Sequence, residues 1–503
     1  MSLVLRTKRK KDWSGLSRAV EAPAHLLAHV RTIETFMDRY KEREAPYHRV
    51  RPPNEHSNDP RTYGKLHFLS STLLQVLAKC EPGTLERFSW RLGTCVPREL
   101  LGRSGILART QKRLQTIYLE TAGLAGHLYE QISLSAFKNL RSLSWRKVST
   151  TDMSQLCLAL QQNSSHLVHL ELRESVGEIQ QVATKLAGLE NITFPALKDL
   201  SLGMRFPTEQ VQKLSSVFAF HKLRSLKLHL CKGWQELLLS ISNQDIGLKS
   251  FIIRLDRPSD MIRKAYREHS ATTILAHSAK SLHALSVFIA AFSCLEELQV
   301  RCSFRLGNSL PLWRSAFGHR ETLRRFVFTE EDHFVTRDEI EACGLMASPP
   351  EDLLSELAVE FLEVCCPDFG SLKRLLSQGR IRNHIRILHL RVNRSVQDKE
   401  SDATSVSPDD RYPNPWSSLR LFMDWALGSD GPPLLEGIGY QDERYKFYDS
   451  LVLFRKRKQS IFSEAGYYPV LENARSTWEF LDKERDAAGS DARQGWNQVR
   501  GTA

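Results

Sequence analysis

Arginine is the residue type in this sequence whose placement most suggests chemistry. Arg91, Arg146, Arg173, Arg254, Arg301 and Arg391, with His229, each stand one position beyond the last apolar residue of a short recurring pattern. A guanidinium presents a planar fork of donors that matches carboxylate and phosphate oxygens, so a row of them would hold an acidic or phosphorylated partner. Other chemistries lack their spacing. No Gly-x-Ser-x-Gly, His-Glu-x-x-His or glycine-rich phosphate loop occurs. The nine cysteines form no Cys-x-x-Cys pair and no zinc spacing with histidine, and the adjacent Cys365 and Cys366 suit neither a usual disulfide nor a shared metal. The seventeen histidines are scattered, and His169 and His389 fall at outward strand positions as surface residues. Gly437 and Gly439 have no third glycine and read as strand packing. The expectation is a non-enzyme with no catalytic residue, no cofactor and no metal site.

The elements that must position the arginines follow from the pattern itself, L-x-x-L-x-L with other apolar residues allowed. It starts at Leu85, Leu114, Leu140, Leu167, Leu197, Leu223, Leu248, Leu295, Leu323, Leu354, Ile385 and Leu435. Most starts are 25 to 31 residues apart, and the two long gaps, 47 and 50, read as repeats with insertions. Leu282-Leu285-Val287 suggests a weak extra unit and Val30-Ile33 a degenerate one. Between the strands the period changes to that of a helix: Met153, Leu156, Cys157 and Leu160, or Trp234, Leu237, Leu238 and Ile241. An aromatic stands three residues before the first leucine at Phe137, Phe194, Phe220 and Phe292, where it would pack between stacked coils. Trp90 and Trp145 occupy apolar strand positions and read as core. One strand and one helix cannot bury their apolar faces alone, whereas stacked coils can. The sequence therefore predicts an α/β leucine-rich-repeat solenoid of horseshoe form, with a parallel concave sheet, convex helices and about twelve degenerate repeats.

Strand side chains alternate, so equivalent outward positions of stacked coils form lanes. The lane after the last apolar residue reads Arg91, Glu120, Arg146, Arg173, Gly203, His229, Arg254, Arg301, Thr329, Glu360, Arg391, Gln441. Six of twelve are arginine, against 70 Lys and Arg in 503 residues; one reading is a basic ladder for a partner, and the other is the solvated face of a basic protein, where such a lane arises by chance. On the ladder reading, reversing Arg146, Arg173 and Arg254 together abolishes partner binding and leaves folding intact.

Composition bounds the rest. With 25% charged and 41% apolar residues the chain is globular rather than disordered. Its net charge of +12 favours acidic partners in general and is weak evidence for nucleic acid in particular; a protein partner is expected and nucleic acid is not. The N-terminus lacks the order of a signal peptide, and the longest apolar run, residues 285–295, is short of the roughly 20 residues of a membrane span. A cytoplasmic or nuclear protein with no membrane partner is expected. The basic runs Lys8–Lys11 and Arg455–Lys458 could serve as localisation or nucleic-acid patches, or be solvated surface. The expected division is a basic segment at 1–27, the solenoid at 28–440 with a disordered insertion at 395–415, a C-terminal cap at 441–486 with a helical stretch near 477–485, and a disordered tail at 487–503.

The segment FHKLRSLKLHLCKGWQELLLSI, residues 220–241, and APAHLLAHVRTIETF, residues 22–36, resemble the fungal F-box/leucine-rich-repeat proteins. The resemblance covers most of residues 20–440. It implies a substrate-recognition component of a ubiquitin ligase, binding its substrate on the concave face. It would imply a ligase adaptor subunit as partner only through an F-box, and no Leu-Pro-x-Glu-like opening stands in the first 27 residues. The alternative is a leucine-rich-repeat scaffold without a ubiquitin role.

Overall fold

A computed structural model describes residues 2–7, 14–37, 60–121, 132–174, 181–189, 192–255, 271–302, 309–330, 351–365, 369–392, 415–442, 451–456 and 467–469. The chain divides into two compact units, Met1–Ser240 and Ile241–Ala503. Both are parallel α/β repeats of solenoid-like build. The first carries β1 (Ser2–Thr7), β2 (Thr32–Met37), β3 (Arg87–Arg91), β4 (Thr116–Glu120), β5 (Ser142–Val148), β6 (His169–Glu174), β7 (Asp199–Gly203) and β8 (Ser225–His229), each parallel to the next in chain order. The second carries β9 (Ser250–Leu255), β10 (Glu297–Cys302), β11 (Arg325–Glu330), β12 (Phe361–Cys365), β13 (Ile387–Val392) and β14 (Gly437–Asp442), again parallel in order. Two further strands follow: β15 (Leu451–Lys456) runs antiparallel to β14, and β16 (Tyr467–Pro469) runs antiparallel to β15.

Eleven of the twelve apolar patterns lie on the strands they predict. The exception is Leu354-Leu357-Val359. Leu354 belongs to the short helix Glu351–Ser355, and the strand begins five residues later, on Val359-Leu362-Val364. A β-branched valine stands there in the first leucine position, so the leucine-rich helix turn ahead of it matched the pattern better. Leu282 and Leu285 are not a strand either; they lie on the buried face of the 20-residue helix Ala271–Ala290 with Phe288 and Ile289. The Val30-Ile33 unit is β2. The N-terminal segment contributes β1 and the helices Ser14–Glu21 and Ala24–Leu27, which its basic composition did not suggest. The insertion expected at 395–415 lies outside the described residues except Pro415, which opens the helix Pro415–Ala426. The helical stretch near 477–485 and the tail at 487–503 lie wholly outside them. No described helix is long and apolar enough to cross a membrane.

The core lies between strands and helices. Trp313, on the helix Leu310–Phe317, packs its ring 4.9 Å from Phe326 and 5.0 Å from Phe328 of β11. Phe251 of β9 meets Phe288 at 4.9 Å. The predicted aromatics are in this layer: Phe218 bridges Phe194 (5.7 Å) and Phe220 (6.3 Å), and Phe292 packs on Phe288 and His319, both at 5.4 Å.

Where three coils lack that aromatic, a buried polar side chain stitches neighbouring coils instead. The Leu85 N–H donates to Gln111 Oε1 (3.0 Å), and Gln111 Nε2 donates to the Glu81 carbonyl (3.2 Å). The Leu140 N–H donates to Asn163 Oδ1 (2.8 Å), and Asn163 Nδ2 donates to the carbonyls of Phe137 (2.9 Å) and Ala159 (2.8 Å). His319 does the same, accepting from Leu295 N–H at Nδ1 (3.4 Å) and donating from Nε2 to the Ile289 carbonyl (2.9 Å). Asn163→Ala strands buried backbone groups and is expected to cost about 2–3 kcal/mol in urea unfolding; a loss under about 0.5 kcal/mol, the range of an ordinary surface change, would refute the stitching role.

Candidate functional site

Alternation along each strand turns the pattern's apolar residues toward the helices and the residues between and after them to the opposite face. Parallel register then sets Glu120, Arg146, Arg173 and Gly203 side by side in the first unit. Glu171 of β6, one lane over, is 6% exposed. Its Oε1 lies 2.7 Å from Arg146 Nε and 2.8 Å from Arg173 Nε, and Ser144 Oγ donates to Oε2 at 2.6 Å. Burial alone would push the Glu171 carboxyl up. The Arg146 and Arg173 charges and the hydrogen bonds from Arg146 and Ser144 outweigh it and hold the carboxyl at about 2. For Arg146, too, burial is outweighed by Glu171, so its guanidinium is held above its ordinary value, whereas burial dominates at Arg173 and lowers it.

Tyr118 of β4 completes the arrangement. The Arg91 guanidinium lies 4.2 Å from its ring centroid and that of Arg146 5.1 Å. Burial raises the Tyr118 hydroxyl well above its ordinary range, so it stays a neutral donor. On the other side Gly203 keeps the lane open: a Cβ there would stand 3.0 Å from Arg173 Cγ and 3.1 Å from the His229 carbonyl. His229 Nε2 is enclosed and has no hydrogen-bond partner among the described residues. Burial first, and the Arg173 charge second, bring the imidazole down to about 3, so it is neutral at pH 7. The next residue, Leu230, adopts φ 54° and is 46% exposed, whereas Met204, at the equivalent place after β7, is 3% exposed. A left-handed leucine is strained, typically by about 1–2 kcal/mol, and the turn spends that strain on presenting an apolar side chain outward.

The second unit uses its arginines differently. Glu363 of β12 is 0% exposed. Arg301 Nη2 donates to Oε2 (2.9 Å), Arg391 Nε donates to Oε1 (2.9 Å), and His389 Nδ1 lies 3.0 Å from Oε2. Burial would raise this carboxyl, but the surrounding cations hold it far below the carboxylate range. His389 and Arg391 are themselves buried, Arg391 to 7% exposure. Thr329, Gln299 and Val327 on the same face are buried as well, and Val327 packs with Phe361 and Ile387. Beside them Arg325 Nε sits 3.4 Å from Glu297 Oε1 and its guanidinium 4.9 Å from the Phe361 ring. Arg254 is exposed, in register with Arg301, and makes no ion pair among the described residues.

The structure thus sorts the seven candidates. Arg91, Arg146, Arg173 and His229 gather on the face of the first unit. In the second, Arg301 and Arg391 close on one buried carboxylate, and Arg254 stands apart. The lane member on β12 is Cys365, in register with Arg391, and not Glu360, because the strand begins five residues after the pattern that placed it. Sequence reasoning missed Glu171, Glu363, Tyr118 and Leu230. Both glutamates sit between the paired apolar residues of a strand, in Leu170-Glu171-Leu172 and Leu362-Glu363-Val364, and writing out that lane would have exposed them. Leu230 carries no such signal.

Among the described residues no group of three or more His, Cys, Asp and Glu could hold a metal ion. What the first face offers is a set of arginines fixed at one end. Glu171 Oε1 accepts a hydrogen bond from Arg146 Nε and pairs by charge with Arg173 Nε, and among the described residues the terminal nitrogens of both make no hydrogen bond. A scan against protein-family models matches no family, and a search of curated proteins finds no matching relative.

Proposed function

We propose that this chain is a protein-interaction scaffold of leucine-rich-repeat type, whose first unit binds an acidic or phosphorylated polypeptide segment on the face of β3–β8. The observation that carries the reading is one buried carboxylate, Glu171, paired with two arginines at Nε, Arg146 through a hydrogen bond and Arg173 through charge. Side chains already held in place lose less entropy on binding, so the forks of Arg146 and Arg173 are set in advance. Arg91, steered by Tyr118, adds a third cation, and the exposed Leu230 adds an apolar contact beside His229. In the second unit Arg301 and Arg391 are consumed by Glu363 and support the fold instead.

An array of twelve-residue peptides tests this. Peptides carrying paired Glu or phosphoserine should bind, and neutral ones of the same length should not. Arg173→Lys keeps the charge on Glu171 but loses the fork, and should weaken binding about tenfold, or about 1.4 kcal/mol. Equal binding of neutral and acidic peptides would refute the proposal. The resemblance of residues 220–241 to F-box/leucine-rich-repeat proteins supports a narrower form, in which the bound segment is the substrate of a ubiquitin ligase. Co-purification of the full chain with a ligase adaptor subunit would support that form; its absence leaves the scaffold without a ubiquitin role.

A further inference from the structure

A second charged lane runs along the entry rim of the strands, one residue after the first apolar position of each coil. Backbone hydrogen bonds fix it: the N–H of Val168 donates to Arg141 O, Lys198 to Val168 O, and Arg224 to Lys198 O, at 2.8, 2.9 and 2.8 Å. The second unit builds the same ladder from Lys249 through Glu296, Arg324, Glu360 and Arg386 to Glu436, with the same bonds between neighbours. There the signs alternate at every step. Lys249 pairs with Glu296 at 2.5 Å, and Arg386 with Glu436 at 2.5 Å and Glu360 at 3.9 Å. That rim neutralises itself.

The rim of β5–β8 does not. Its lane reads Arg141, Val168, Lys198, Arg224, and the three cations are exposed and make no ion pair among the described residues. Lys138 and Lys222 stand exposed one turn earlier. The sole carboxylate in these four strand entries is Asp199. Lys198 and Arg224 lie on neighbouring strands, a step of about 4.8 Å, where like charges directly opposed are unfavourable. The same chain shows how such a lane is compensated internally, and at this rim it is not.

We infer that the β5–β8 rim is a docking surface for a carboxylate-rich polypeptide, which supplies the missing alternate charges. A protein is favoured over a single-stranded nucleic acid because the aromatics at these entries, Phe137, Phe194 and Phe220, are all buried in the core and offer bases nothing to stack on. The inference stands apart from the sheet-face reading, which uses the lane five residues further along the strands.

Fluorescence anisotropy with a labelled twelve-residue oligoglutamate, and separately an oligothymidylate of similar charge, tests it on the full chain. Lys198→Glu with Arg224→Glu should weaken oligoglutamate binding at least about tenfold. Arg103→Glu with Lys112→Glu, the same charge change on exposed residues elsewhere, should change it less than about threefold. Lys198→Gln with Arg224→Gln serves as a gentler pair if the reversal impairs folding. Equal losses in rim and control variants, or no binding at all, would overturn the rim. Tighter binding of oligothymidylate, lost in the rim variant, would overturn the protein partner in favour of nucleic acid. Loss confined to Arg91→Ala with Arg173→Lys would remove the rim and leave the sheet face standing.

Discussion

Glu363→Ala is expected to destabilise the second unit by about 3–5 kcal/mol, because it leaves the buried Arg391 and the largely buried Arg301 around an empty acceptor. The cost comes from uncompensated charge and not from the lost glutamate alone. Replacing the network as a whole should therefore recover most of it. Glu363→Leu combined with Arg301→Met and Arg391→Met removes both signs together, and such exchanges are often neutral or stabilising. Chemical denaturation of the single and triple variants separates the two outcomes. A single variant that loses less than about 1 kcal/mol would mean that the cations find water or other partners, and that Glu363 is not the centre of the unit.

Reversing Arg146 and Arg173 to glutamate is the second large effect, and it runs against the expectation from sequence that such a change spares the fold. The reversal brings two further carboxylates up to Glu171, itself 6% exposed. The pH dependence carries a sign that distinguishes this from a generic defect. In the native protein the Glu171 carboxyl sits at about 2, below its ordinary 4.5. A depressed carboxyl stabilises the fold above its unfolded value and loses that contribution as pH falls through the folded one. Glu171 therefore contributes about 3 kcal/mol at neutral pH, lost between about 4.5 and 2. His229 adds to the trend: held at about 3 against an ordinary 6.5, it favours the unfolded chain once pH falls below 6.5. Native stability should decline steadily in acid. In the reversed variant Glu171 faces anions, its carboxyl rises, and acidification from pH 7 to 4 should stabilise rather than destabilise. Parallel pH profiles for the two proteins would refute the account.

Much of the fold was readable because two leucines at a fixed offset mark a strand whatever surrounds them. The reading failed where that marker was mimicked or replaced. Leu354 and Leu357 imitate it from a short helix, while the true strand opens on Val359. Leu282 and Leu285 imitate it from a helix whose own period also repeats at three residues. The row of arginines was equally visible, since register follows from stacking. Whether each cation was free was not. Arg301 finds Glu363 across 62 residues of sequence, and Arg146 finds Glu171 across 25. Such pairings depend on which strands lie side by side and how deeply each lane is buried, and local spacing encodes neither. The rim was hidden for the same reason, because its meaning comes from comparing one unit's ladder with the other's.

The claim that Arg91, Arg146 and Arg173 of the first unit are held for a ligand, while Arg301 and Arg391 of the second are held for the fold, is tested most directly by calorimetric titration. An acidic or phosphorylated peptide selected on the array is titrated into the native chain, into Arg91→Ala with Arg173→Lys, and into Arg254→Ala. The account predicts an affinity about tenfold lower for the first variant, about 1.4 kcal/mol, with an unchanged melting temperature, and native affinity for the second. Unchanged affinity in the first variant, or a loss that appears only with Arg254→Ala, would contradict it.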